Sequence, residues 1–129
     1  MSNTSFEVKI IGTGGAFTKT QCHTSILIDI NKKKYLLDCG FKVPQTLHDM
    51  GISMEEIDGI IISHIHADHT GGLEEFGFMG HYVLKKKFDL YIAQNLVEEL
   101  WNKTLAGGME QLSEGEGTLE TFFNVNTFN

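Results

Sequence analysis

One proline, two cysteines and no apolar run near the roughly 20 residues that a membrane-spanning helix needs are what this 129-residue sequence has least of. Two cysteines cannot form a disulfide framework, so Cys22 and Cys39 are expected to be buried thiols rather than ligands or a bridge. The stretch from Met1 to Phe6 is polar and lacks the charged start and apolar core of a secretory leader. A cytoplasmic domain with no membrane contact is the expectation; for a phage protein, that means the host cytoplasm. Basic residues are scarce too. Ten Lys and Arg stand against seventeen Asp and Glu, a formal net charge of −7. Affinity for a long nucleic acid rests on many Lys/Arg–phosphate contacts, so no such partner is expected. The lysine triplets at 32–34 and 85–87 read as solvated turns or strand edges. What is plentiful is apolar residues, 41% of the chain, and 14 glycines, which fit one α/β domain over residues 1–129.

Alternation from Phe6 to Ile11 predicts a strand that stops at Gly12. Ser25–Ile30 and Lys34–Asp38, around a polar Asn31–Lys33 loop, predict a hairpin. Pro44 suits the start of a short helix with Val43, Leu47 and Met50 on one face and Gly51 closing it. Ser53 with Glu56 forms a capping box for one further turn. Ile60–Ile62 reads as a buried strand, and Asp89–Ala93 as another. Asn95 with Glu98 predicts a helix through Leu96, Leu100, Trp101 and Leu105 that ends at Gly107–Gly108, and Thr118–Asn129 looks like a strand just beginning.

Directly after Ile60–Ile62 stands His64-x-His66-x-Asp68-His69, four metal-ligand types in six residues. Six His and six Asp in 129 residues make that pattern a chance event about 6 times in 10,000, so it is not background. Imidazole and carboxylate suit zinc and related divalent ions. Ligands one residue apart can share an ion, which pairs His64 with His66 and, past the turn, Asp68 with His69. Two pairs point to two ions a few ångströms apart, an arrangement that serves hydrolysis. His23, His48 and His81 have no ligand partner at useful spacing and read as surface or packing residues.

This block resembles the hallmark of the metallo-β-lactamase superfamily. Gly12-Thr13-Gly14-Gly15, Leu37-Asp38-Cys39-Gly40 and Gly71-Gly72-Leu73 stand where that superfamily has them, and the resemblance covers about residues 6–100. The Gly12–Phe17 opening and Asp38-Cys39-Gly40 look like the phosphodiesterase branch. Within it, the segments Gly72–Phe78 and Leu100–Gly108 resemble the anti-Pycsar-type cyclic-nucleotide phosphodiesterases. The tRNA 3′-processing endoribonucleases (endoribonuclease Z) are a more distant likeness, since Phe41-Lys42-Val43-Pro44 replaces their E-G-T-Q segment.

The resemblance implies an αβ/βα sandwich, of which 129 residues supply about the N-terminal half. It implies two divalent ions, Zn2+ or alternatively Mn2+, held by His64, His66, Asp68 and His69. Asp38 would lie beneath them, and Asp68 would also orient a metal-bound hydroxide that opens a cyclic mononucleotide. Phe17 and Phe78 are candidates for stacking on its base. The superfamily adds a further His, a bridging Asp and a final His downstream; here only His81 and Asp89 follow His69, in no matching motif. The expected partners are therefore a small cyclic nucleotide and either a second copy in a homodimer or the missing C-terminal half. A sheet face carrying Ile10, Ile28, Leu37 and Ile61 is expected to lack its cover. The alternatives are a tRNA 3′-processing endoribonuclease and a non-catalytic metal-binding fragment.

Overall fold

Alternating and continuous apolar strands build one main sheet. The computed structural model describes residues 5–129; the polar start, residues 1–4, lies outside them. In chain order the elements are β1 (Phe6–Gly12), β2 (Ser25–Ile30), β3 (Lys33–Leu37), α1 (Val43–Asp49), β4 (Gly59–Ile62), α2 (Ala67–Thr70), α3 (Leu73–Phe78) and β5 (Phe88–Ala93). The short helices α4 (Val97–Leu100) and α5 (Ala106–Met109) follow, then a small hairpin, β6 (Gln111–Leu112) and β7 (Gly115–Glu116), α6 (Leu119–Phe122) and β8 (Phe123–Phe128). The main sheet has the order β1-β2-β3-β4-β5-β8. Its first three strands are antiparallel and the rest run parallel from β3 onward.

The β2–β3 connection is tighter than the polar loop expected from sequence. Asn31 and Lys32 take φ of 51° and 70°, a two-residue turn of the kind that matches strand twist, and Lys33 already pairs with Ile30. Helix α1 begins at Val43, one residue before the expected Pro44, and Met50 lies past its end and is exposed; only Val43, Pro44 and Leu47 are buried. The Ser53–Glu56 capping box is present around a single 3-10 turn.

Leu119–Phe122 is a helical turn, so the strand expected over Thr118–Asn129 starts only at Phe123, and three further stretches differ from the sequence expectation. Leu73–Phe78 is helical and continues through π-helical turns to Leu84, ending where Lys85 adopts φ 56°. Leu73 and Phe76 are buried at helical spacing, but Gly77 and Gly80 mask the pattern. Asn95 caps nothing, because a 3-10 turn starts at Gln94 directly on leaving β5 and places Asn95 inside it. The helical run then passes through Gly107 and Gly108 to Met109. Burial of Ala106 and Met109 outweighs a glycine penalty of about 1 kcal/mol each.

One sheet face is the core: Leu27, Leu36, Ile60, Ile62, Leu90 and Ile92 join Val43, Leu47, Leu73, Phe76, Leu100 and Phe122 in one buried cluster. The other face is open. Phe6, Val8 and Ile10 are 61%, 51% and 61% exposed, opposite Ile30, Ile28 and Ile26, while Leu37 and Ile61 are half-buried. Among the described residues no helix is long and apolar enough to cross a membrane.

Candidate metal centre

Strands β3 and β4 lie side by side in parallel, with Leu37 opposite Ile61, so the segments leaving their carboxyl ends meet. From β3 comes Asp38 in the left-handed region, φ 65°, a conformation that Asp tolerates better than most residues. From β4 come Ser63 and His64, then His66 at the mouth of α2, whose single turn carries Asp68 and His69. The two connections are clamped together: Cys39 N–H donates to the His69 carbonyl at 2.7 Å, and Gly72 N–H to the Cys39 carbonyl at 2.9 Å. A side chain at Gly40 would put its Cβ 2.3 Å from the Asp68 carbonyl oxygen, and one at Gly72 would lie 2.6 Å from the Gly40 carbonyl. Those two contacts are the physical content of the Asp38-Cys39-Gly40 and Gly71-Gly72 motifs.

Asp38 is 6% exposed and organises the site. Its Oδ1 accepts from the Ser63 N–H at 2.8 Å, and its Oδ2 from the Ser63 hydroxyl at 2.6 Å and from His69 Nδ1 at 2.9 Å. With its proton given to Asp38, the Ser63 oxygen is left to accept from His64 Nδ1 at 3.0 Å. His64 and His69 thus each engage Nδ1 and present Nε2, the tautomer that ligates a metal. Asp68 Oδ2 lies 3.3 Å from His69 Nε2, so two carboxylates flank one imidazole. That arrangement calls for positive charge at or between them, and the donor set of three imidazoles and a carboxylate fits a divalent ion.

The four ligand types are adjacent but do not converge. Among the described residues no three His, Cys, Asp or Glu side chains are gathered closely enough to hold an ion. The His64 ring lies on that of His69, centroids 3.7 Å apart, and meets His66 edge-on at 5.2 Å. Both His64 and His66 are exposed, so ring stacking rather than core packing orients them.

Sequence reasoning missed Ser63, whose hydroxyl carries no pattern of its own, and undervalued His23. The latter is fully buried, edge-on to Phe41 at 4.5 Å, with burial and then the Lys42 cation lowering its pKa. Cys22 and Cys39 are buried free thiols as expected, and burial pushes the Cys39 thiol well above its usual range. His48 is exposed, and His81 sits 3.1 Å from Glu114. Of the two stacking candidates, Phe78 packs on Phe122 and Tyr82, whereas Phe17 is 89% exposed.

A family model described as anti-Pycsar protein Apyc1 matches residues 6–129. The chain belongs to the anti-Pycsar Apyc1 family. An Apyc1 protein of Paenibacillus xerothermodurans is 41% identical over 121 residues, which are 94% of this chain and 48% of that protein. The chain therefore spans about half the length of the curated relatives it matches. Among solved structures, the metallo-β-lactamase fold protein YhfI from Bacillus subtilis superposes with a TM-score of 0.72 at 20% identity, over 98% of this chain and 46% of its own. The short form of human tRNase Z gives 0.66 at 26% identity, over 93% of this chain and 44% of its own. The fold is that of the metallo-β-lactamases, and this Apyc1-family chain covers about half of it.

Proposed function

We propose that this chain supplies half of a metal-dependent phosphodiester hydrolase that opens cyclic mononucleotides. The observation that carries the reading is the Asp38–Ser63 network, which engages Nδ1 of His64 and of His69 and so leaves each Nε2 for a ligand role, that of His69 beside the Asp68 carboxylate. The anti-Pycsar name of the relatives agrees with that branch of the superfamily. In this reading His64 and His66 hold one divalent ion and Asp68 and His69 a second, zinc suiting the donors best and manganese next. When bound, such ions lower the pKa of water and offset charge on the phosphoryl oxygens. Asp38 keeps His69 in its ligating tautomer, and Asp68 both ligates and orients the attacking water. Each ion is short of the three or four protein ligands that zinc sites use. His81 is engaged by Glu114 and Asp89 faces Asn124, so the remaining ligands come from the second half of the fold or a second chain. The same half, or a second copy in a homodimer, covers the open sheet face.

The likeness to human tRNase Z keeps precursor tRNA as the competing substrate. A net charge of −7 argues against it, because a long RNA needs many phosphate contacts. The test uses the protein extended to the length of its relatives. His66→Ala and Asp68→Ala are expected to abolish cyclic-mononucleotide hydrolysis with the fold retained, since His66 is exposed and Asp68 only half-buried. Full turnover in both variants would place the chemistry elsewhere, and precursor-tRNA cleavage without cyclic-nucleotide turnover would favour the nuclease.

A further inference from the structure

Among the described residues, the buried side-chain polar atoms left without a hydrogen-bond partner are the two ring nitrogens of His23. An unmade buried hydrogen bond is destabilising, so a residue kept this way points to a partner it meets in function. The surroundings narrow the choice. A Cβ on Gly40 would lie 2.4 Å from His23 Nδ1 and 2.3 Å from the Asp68 carbonyl oxygen, so both atoms crowd one side of Gly40. The Asp68 charge acts on the ring, and the Ala16 backbone approaches it without forming a hydrogen bond. The ring is held in place by its edge contact with Phe41. The 13–22 loop beside it is tied down by Lys42 Nζ on the Thr18 carbonyl, and by Thr24 N–H on Gly14 at 2.9 Å.

We propose that His23 is a positioning residue for the metal centre: its N–H fixes Asp68 when a divalent ion is held by the His64–His69 loop. Imidazole carries at least one N–H in either tautomer, and Asp68 has acceptor capacity beyond its single contact with His69. An ion held by Asp68 and His69 would still leave Asp68 acceptor capacity, on its carboxylate and its backbone carbonyl, for a donor. Metal ligands are commonly oriented by such outer partners. The inference rests on the metal-centre reading above.

The test uses the protein extended to the length of its relatives and compares wild type with His23→Phe and His23→Asn, with Zn2+ alone as the probe. His23→Phe keeps the ring and its contact with Phe41 but removes both nitrogens. His23→Asn restores a donor near the Nδ1 position. Zinc affinity is read by competition with a chromogenic chelator, and thermal unfolding is followed separately in excess EDTA. The expected result is that His23→Phe unfolds in EDTA no earlier than wild type yet binds zinc about tenfold more weakly, with His23→Asn recovering part of the loss. A residue that only packs would not separate the two readouts. Equal zinc affinity in wild type and His23→Phe overturns the proposal, as does a loss of affinity matched by earlier unfolding in EDTA that Asn does not rescue. Should His23→Phe not fold, a tenfold loss in His23→Asn overturns it and affinity within threefold of wild type supports it. A wild-type protein of that full length that takes up no zinc instead removes the metal-centre reading itself, a result distinct from equal uptake by the two proteins.

Discussion

Replacing Asp38 tests the core of the site without any metal. The carboxylate accepts three hydrogen bonds, two from Ser63 and one from His69, in a 6% exposed position with φ 65°. In Asp38→Ala the Ser63 N–H and His69 Nδ1–H lose their acceptor, at roughly 1–2 kcal/mol for each of these partly buried donors. The Ser63 hydroxyl can turn to solvent and adds little. A left-handed Ala adds about 1 kcal/mol over a residue that tolerates that region. The total is about 3–5 kcal/mol, a large share of the 5–15 kcal/mol typical of a domain. Asp38→Gly loses the same hydrogen bonds but not the backbone conformation, so it is expected to be about 1 kcal/mol less destabilised than Ala. Asp38→Asn keeps one acceptor and turns its NH2 on a donor, for a loss of about 1.5–3 kcal/mol. Urea unfolding in EDTA at neutral pH measures all three without metal binding. Asp38→Ala within about 0.5 kcal/mol of wild type would refute the hydrogen-bond account, and Gly no more stable than Ala would refute the backbone part.

Gly40→Ala places a methyl 2.3 Å from the Asp68 carbonyl, so it is expected to lose about 2 kcal/mol or more in the same assay and to weaken zinc uptake. Val8→Lys and Ile10→Lys, on the open sheet face, are expected to change unfolding by less than about 0.5 kcal/mol while keeping the chain monomeric at higher concentration in sedimentation runs. Hydrogen bonds from His81, Ser113 and Tyr82 hold the Glu114 carboxyl at about 2 instead of its ordinary 4.5. The stability this gives is present above pH 4.5 and lost as pH falls toward 2, so Glu114→Gln should lose less stability than wild type across that window in acid unfolding curves.

The legible parts of the fold were those with strong local signals. The β2–β3 hairpin, β4 and the Ser53–Glu56 box each follow from residues a few positions apart. The H-x-H-x-D-H block was visible for the same reason, because its residues are contiguous. The helical run Leu73–Leu84 was hidden because Gly77 and Gly80 interrupt its apolar period and no side chain caps it. β8 was seen only as a beginning, since its partner β5 lies some 35 residues back and parallel pairing leaves no local mark. Asp38, Ser63 and His69 meet across 25 to 31 residues, so only the family resemblance hinted at Asp38, and nothing marked Ser63. His23 was discounted because it lacks a ligand at short spacing, whereas its neighbours Gly40, Phe41 and Asp68 arrive through the clamp between two loops.

The central claim is that the His64–His69 loop is half of a metal-dependent centre for cyclic-mononucleotide hydrolysis. The most direct measurement is a side-by-side assay of a cyclic mononucleotide and a precursor tRNA, with the protein extended to the length of its relatives, before and after chelation. The account predicts that the cyclic nucleotide is opened, that a chelator stops turnover and added Zn2+ or Mn2+ restores it, and that the tRNA stays uncut at physiological salt. Cyclic-nucleotide turnover that survives full removal of the metal, or efficient tRNA cleavage with the cyclic nucleotide untouched, would contradict it.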